Sequence, residues 1–182
     1  MSADDTGAGF AATAVVRGGA AGAVAYLGGY ISVYPAAGDV RRLARAFEPL
    51  AAAGGRGAPA WKVTGWAFYD AHFVGTRFAG RAVDLVSFAG LDPLYLVPPL
   101  SLALAGGVAA YTAGARRRRT GELAGMAVAA GYLPLVVGLA VLVRSAGVGP
   151  ALLRAVVVAG VVYPVAFGGT GGVLAAGLRL AR

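Results

Sequence analysis

The side chains best suited to bind a metal or move a proton crowd into one short stretch, Tyr69-Asp70-Ala71-His72, which holds the sole histidine of the chain. An imidazole and a carboxylate two residues apart can act as a base and its orienter, or share a metal with a further acid such as Asp84 or Asp92, if the backbone is extended. On a helix the same two residues diverge by roughly 200° around the axis and do not converge. Trp66, Tyr69 and Phe73 follow the helical spacing i, i+3, i+7, which favours the helical reading and makes His72 a structural residue bonded to a neighbour. No other catalytic pattern stands. Lys62, the sole lysine, lacks a phosphate-loop context, and the sequence contains no HExxH pair, no Gly-x-Ser-x-Gly elbow and no paired intramembrane aspartates. The chain has no cysteine, so thiolate catalysis, iron–sulfur clusters and zinc–thiolate sites are excluded. The expectation is a protein that is not an enzyme and that carries no cofactor and no metal.

The elements that must position these residues are long and apolar. Hydrophobic residues make up 58% of the 182 residues and the mean hydropathy is +0.72, far above soluble usage. About 20 apolar residues at ~1.5 Å rise cross the ~30 Å hydrocarbon core of a bilayer, and four stretches qualify: 11–34, 93–114, 121–143 and 151–180. Arg116-Arg117-Arg118-Arg119 lies in the short connection between the second and the third. Clustered arginines in a short loop stay cytoplasmic, so alternation puts both termini inside and the 35–91 connection and the 145–150 turn outside. Arg17, Arg179 and Arg182 agree with this orientation, whereas Arg144 and Arg154 flank the outer turn and run against it. The acidic start MSADDTGAGF lacks the basic region of a cleavable signal, and the first span is expected to serve as its own targeting signal. The predicted fold is all-α: a single membrane domain over 1–182, a bundle of four transmembrane helices in the cell membrane.

Between the first two spans, residues 35–91 read as an outer segment lying at the membrane interface. Val40 to Leu50 places Val40, Leu43, Ala44 and Phe47 on one helical face with Arg41, Arg42, Arg45 and Glu48 elsewhere, an amphipathic helix at headgroup level. A glycine-rich break over 54–59 separates it from the aromatic stretch Trp61 to Val74. A second interfacial helix is the first choice there; a β-hairpin over 63–86, turning at Gly75 or Gly80, is the alternative. Thr120 and Glu122 are placed to cap the third span.

Two patterns recur within the spans. Small residues four apart let backbones approach closely in lipid: Gly18 and Gly22, then Gly106, Ala110 and Gly114, then Gly121, Gly125 and Ala129, then Gly168, Gly172 and Ala176. They read as packing within one bundle first and as a self-association face second. Tyrosine also precedes proline, as Tyr34-Pro35, Tyr95 with Pro98-Pro99, Tyr132 with Pro134, and Tyr163-Pro164. Proline inside a span frees a carbonyl that a phenol could satisfy, and broken helices line many transport paths. The middle third of each span lacks Asp, Glu, His and Lys, which argues against a coupled pump.

The sixteen basic residues against eight acids give a net charge of +8. Their crowding into loops and helix ends reads as topology and anionic-lipid contact, and nucleic-acid binding is excluded because no water-soluble basic face appears. The expected partners are the bilayer and a membrane protein or a second copy.

The glycine-rich first span, the run Trp66-Ala67-Phe68-Tyr69-Asp70-Ala71-His72-Phe73-Val74, and Tyr95-Leu96-Val97-Pro98-Pro99 leading into three closely spaced spans resemble a group of small, uncharacterised multi-span membrane proteins of halophilic archaea. That pattern has Asn where Asp70 stands. The resemblance covers most of the chain and implies fold and membrane location; the label transporter would follow from topology only. The leading functional expectation is a scaffold or accessory subunit whose outer stretch Trp61 to Phe78 and small-residue faces meet a partner or its own copies. The alternative is a small permease or channel with a path along the Tyr/Pro-kinked helices, drawing on Tyr95, Tyr132, Pro134, Tyr163 and Pro164.

Overall fold

A computed structural model describes residues 3–36, 38–40, 42, 58–78, 80–145 and 147–180. Four helices in it are long and apolar enough to cross a membrane: Gly9–Ala36, Asp92–Thr112, Arg118–Leu142 and Leu152–Arg179. These agree with the four stretches read from hydropathy. Most of the amphipathic helix expected over Val40 to Leu50 lies outside the described residues; Val40 itself is buried, and exposed Arg42 pairs with Asp39.

The first long helix is α1 (Ala3–Val33), closed by a 3-10 turn at Tyr34–Ala36. After the undescribed stretch come α2 (Ala60–Asp70), the strands β1 (Thr76–Phe78) and β2 (Arg81–Val83), and the one-turn helix α3 (Leu85–Phe88). A 3-10 turn, Asp92–Leu96, with Asp92 and Pro93 at its start, leads into α4 (Val97–Thr112). The third long helix is broken into α5 (Arg118–Met126) and α6 (Ala129–Leu142). Thr120 bonds back to the Arg117 backbone at the start of α5. A short strand β3 (Gly149–Pro150) precedes the fourth helix, which opens as α7 (Leu152–Arg154) and closes as α8 (Gly169–Leu180). Between them it winds with wider π-helical geometry over Ala155–Val162 and Pro164–Gly168.

Glycine decides how tightly the bundle closes. Around the break in the third helix, a methyl group built on Gly18 would press on Ala127, one on Gly22 would overlap the Val128 carbonyl, and one on Gly131 would overlap the Gly19 carbonyl. On the other side of the bundle the Gly168 carbonyl meets both Gly106 and Gly125, and Gly121 and Gly172 lie backbone on backbone. Small residues let helix backbones approach this closely, and the close approach supplies packing contact between the helices. The predicted small-residue faces are thus largely occupied within one chain, except at Gly114, which lies in the turn beyond Thr112 with nothing within 4 Å.

The four helices alternate in direction. At one end Arg17 donates to the Thr112 carbonyl, and Arg179 donates to the Tyr111 carbonyl at 2.8 Å while its guanidinium lies 4.0 Å from the Tyr111 ring centroid. The run Arg116 to Arg119 joins the second and third helices at this same end.

The connection that caps the other end departs from the sequence reading in two ways. Both options for residues 61–86 occur in tandem: a helix over Ala60–Asp70, then a hairpin in which Thr76 pairs with Val83 and Phe78 with Arg81, turning at Gly80 with φ 81°. β3 adds to β1 through Thr76 with Pro150, making an antiparallel sheet in the order β2-β1-β3, so the chain is mostly helical but not all-α. The segment also does not lie flat on an interface. Val63, Trp66, Phe68, Tyr69, Asp70 and His72 are each 0% exposed, because α2 is wedged against the first and third long helices rather than resting beside them.

Replacing Gly106 with Ala should destabilise the bundle by about 1–3 kcal/mol or more, since the added methyl forces two backbones apart. Gly138→Ala, where a methyl group would meet nothing within 4 Å, should be neutral or stabilise by roughly 0.5–1 kcal/mol. Unfolding of the two variants in mixed detergent micelles compares them directly; equal effects would remove glycine contact as the basis of packing.

Candidate functional site

The cap inserts a hydrogen-bonded aromatic cluster between the long helices. α2 ends in a turn where the Phe73 amide donates to the Asp70 carbonyl at 2.8 Å and the Val74 amide to the Tyr69 carbonyl at 3.1 Å. This bond pair requires a left-handed residue at its centre. The same pair after α3 and α4 is centred on Gly90 (φ 66°) and Gly114 (φ 77°), but here the position belongs to Phe73, with φ 57°. A bulky residue in that conformation costs on the order of 1–2 kcal/mol. The turn sends His72 inward and Phe73 outward, where it stacks on Tyr95 with the rings 4.6 Å apart and 4° from parallel.

The proton positions around His72 follow from its partners. Nδ1 lies 2.7 Å from the Phe68 carbonyl, which can only accept, so Nδ1 carries the proton and donates. Nε2, 2.7 Å from the Tyr132 hydroxyl, is then the acceptor and Tyr132 the donor. Phe68 packs edge-on to the imidazole at 4.7 Å and Tyr163 lies against it at 5.0 Å. Burial holds the imidazole neutral, its pKa lowered to about 4; the Phe68 carbonyl bond opposes that shift without overcoming it.

Beside it, the Tyr69 hydroxyl donates to the Val136 carbonyl of α6, so the Tyr26 hydroxyl, 3.2 Å away, must donate to Tyr69. Burial pushes the Tyr69 phenol up. The Trp66 indole donates to the Val143 carbonyl at 2.9 Å, and the Tyr30 hydroxyl to the Trp61 carbonyl at 2.6 Å. Tyr26 stands edge-on to both Phe68 and Tyr132, with centroids 5.2 Å and 5.0 Å apart. Every bond in this set joins the cap to a long helix or one cap residue to the next. Among the described residues no buried side-chain nitrogen or oxygen lacks a partner.

Asp70 turns the other way. Its carboxylate accepts from the Leu85 amide at 2.8 Å and from the Thr76 hydroxyl at 3.0 Å, tying α2 to the hairpin and to α3. Burial pushes the carboxyl up, while these two donors pull it down. Asp84 caps α3 through the Val86 and Ser87 amides and accepts the Tyr95 hydroxyl at 2.6 Å. Asp92 is exposed at the start of its 3-10 turn. Asp70 and His72 therefore diverge, as helical spacing predicts, and no group of three His, Asp or Glu side chains among the described residues could hold a metal.

The structure brings Trp66, Tyr69, His72, Tyr132 and Tyr163 into one cluster and places Asp70, Phe73 and Tyr95 in a neighbouring one. Pro164 is buried within the π-helical stretch, and Pro134 is exposed on α6. The phenols do not heal the prolines: Tyr69 reaches Val136, whereas Pro134 frees the carbonyl four residues before it. Sequence reasoning passed over Tyr26, Phe68 and Thr76. Tyr26 carried a signal, a phenol in the middle of an apolar helix, which needs a buried partner.

A bundle of four bilayer-length apolar helices sealed at one end by a buried aromatic cap defines the class of architecture. The chain belongs to a family of unknown function, DUF7978, whose model matches residues 2–179. No curated protein and no solved structure matches it.

His72 makes stability depend on pH with a definite sign. Its folded pKa lies below the unfolded value of 6.5, so above that pH neither state holds the proton. As pH falls from 6.5 towards 4 only the unfolded chain binds it, and about 3 kcal/mol of stability is lost. Asp70 acts in the opposite direction, since its raised pKa adds stability as pH falls. Comparison with His72→Gln isolates the histidine: the stability gap between wild type and variant should narrow over this window, and a gap that stays constant would show that His72 is not held neutral. Tyr132→Phe should cost about 1–3 kcal/mol at pH 7, because it leaves Nε2 buried without a donor.

Proposed function

We propose that the chain is a multi-pass integral membrane protein of the cell membrane, with both termini cytoplasmic, and that it acts as a non-enzymatic scaffold or accessory subunit. The observation that carries this reading is the commitment of its reactive side chains. Both nitrogens of His72 and the hydroxyls of Tyr69 and Tyr132 are bonded inside a cluster with 0% exposure. These bonds support a role in holding the cap on the bundle rather than in meeting a substrate or lining a path.

The partner surface then has to lie elsewhere than the stretch Trp61 to Phe78 and the glycine faces, both of which are largely used within the chain. The second long helix supports that role. Leu96, Leu100, Leu104, Val108 and Tyr111 form an exposed ridge along it, with Leu104 72% exposed. Apolar grooves flank the ridge, one of about 990 Å³ against the first helix and one of about 500 Å³ against the fourth. A helix of a partner, or of a second copy, fits a ridge between two grooves. One feature favours the alternative of a small permease: the π-helical stretch around Tyr163-Pro164 lies beside His72, and such geometry recurs at functional sites.

The absence of cysteine makes the test direct. Leu104→Cys should crosslink in native membranes, and mild purification followed by mass spectrometry should recover a stoichiometric membrane partner. Isolation of a homogeneous self-oligomer that moves a solute in proteoliposomes, with flux altered by Tyr163→Phe, would replace the scaffold reading with the permease. For orientation, Ser87→Cys should react with an impermeant thiol reagent in intact cells and Arg118→Cys should not; the reverse pattern would invert the topology.

A further inference from the structure

Arg144 and Arg154 fit the orientation read from Arg116 to Arg119 poorly, and the tertiary structure gives them a common purpose. The turn between the third and fourth long helices, 143–151, folds back so that β3 pairs with β1, bringing Arg77 opposite Gly149. The Arg144 side chain packs across that same Gly149, close enough that a methyl group there would lie 2.8 Å from its Cγ. From the far side Arg154 reaches back over the sheet: its Nη1 would lie 4.0 Å from a methyl group on Gly75, two residues before Arg77. The three arginines line one cavity of about 580 Å³, together with Ser145 and residues 147–153. A fourth cation adjoins it, since Lys62 Nζ donates to the Arg144 carbonyl at 3.0 Å.

Nothing described compensates this charge. The ion pair found among the described residues is Arg42 with Asp39, the cavity lining holds no acid, and Asp70 and Asp84 are bonded to Thr76 and Leu85 and to Tyr95 and the α3 amides. Arg77, Arg144 and Arg154 are all exposed at this open cavity, which leaves their guanidinium groups accessible to an anion. Each offers a planar fork of donors matched to a phosphate oxygen pair. The apolar Leu142, the last residue of α6 and two before Arg144, and Leu153, next to Arg154 in α7, are 63% and 78% exposed at the boundary between apolar helix and polar cap.

We infer that Arg77, Arg144 and Arg154 form a binding site for a phosphate-bearing anion at the capped end of the bundle. A phospholipid headgroup and a free phosphate compound present the same chemistry, and the two sources separate by experiment. Ser145→Cys places a single thiol in the cavity wall. Its rate of alkylation is measured at low salt, where screening is weak, for the full chain in nanodiscs of phosphatidylcholine with or without phosphatidylglycerol, and in detergent with or without glycerol phosphate.

Protection by phosphatidylglycerol alone supports the site with a lipid headgroup as its ligand, and protection by glycerol phosphate in detergent supports it with a soluble ligand. In either case Arg144→Gln with Arg154→Gln should raise the concentration needed for half-protection at least about tenfold. Protection that survives the double substitution, or none from either compound, overturns the proposal. Native mass spectrometry of the cysteine-free chain, comparing retained phosphatidylglycerol between wild type and Arg77→Gln/Arg144→Gln/Arg154→Gln, supplies the same answer without the thiol. Equal retention there rules out the lipid source, and together with an absence of protection by glycerol phosphate it overturns the proposal.

Discussion

Backbone contact at glycine is the constraint on which the rest of this molecule depends. Gly168 touches both Gly106 and Gly125, and so joins the second, third and fourth helices at one level of the bundle. Gly18, Gly19 and Gly22 seat the first helix against residues 127–131, at and just after the break in the third. With the helices so close, little room remains for side chains between them near the Arg116 to Arg119 end, where the buried cluster consists of Ala14, Ala110, Ala115 and Ala124. Towards the other end the interior is filled instead by large side chains, many of them supplied by the cap.

That division of space explains why the polar chemistry of the chain sits where it does. A phenol, an indole or an imidazole can enter an apolar interior only if its donors and acceptors are met. α2 brings Trp66, Tyr69 and His72 to the Val143 carbonyl, the Val136 carbonyl and the Tyr132 hydroxyl. The turn centred on Phe73 accepts an unfavourable backbone conformation where two similar turns use glycine, and in exchange aims His72 inward and lays Phe73 on Tyr95. Asp70 holds the hairpin to the end of the same helix. The cap is therefore built as a plug whose bonds are directed into the bundle, with its cationic residues left on the outside.

The charges of the chain also separate into two groups with different physical roles. At one end Arg17 and Arg179 lie on carbonyls at the end of the second helix, next to the arginine run, where cations offset the negative pole of the backbone dipoles. At the other end Arg77, Arg144 and Arg154 close on a cavity with no described counter-charge. The first group follows from topology alone, and the second requires the β1–β3 pairing.

The four long helices, their boundaries within a few residues, and the convergence of Arg17, Arg179 and the arginine run at one end were all legible from hydropathy and charge, because each depends on properties local to its own segment. Divergence of Asp70 and His72 was legible in part, since the helical period sets the direction of Asp70, while the turn after α2 aims His72. Three things were settled by tertiary structure. Burial of α2 was hidden because Trp66, Tyr69 and Phe68 are as suited to a membrane interface as to a core, and only the width left between the helices distinguishes them. The β3 strand was hidden because two residues, Gly149 and Pro150, carry no strand pattern of their own and gain it from β1. The arginine cavity was hidden because its members lie up to 77 positions apart in the sequence, from Arg77 to Arg154, and their shared environment exists only once the turn between the last two helices folds onto the hairpin.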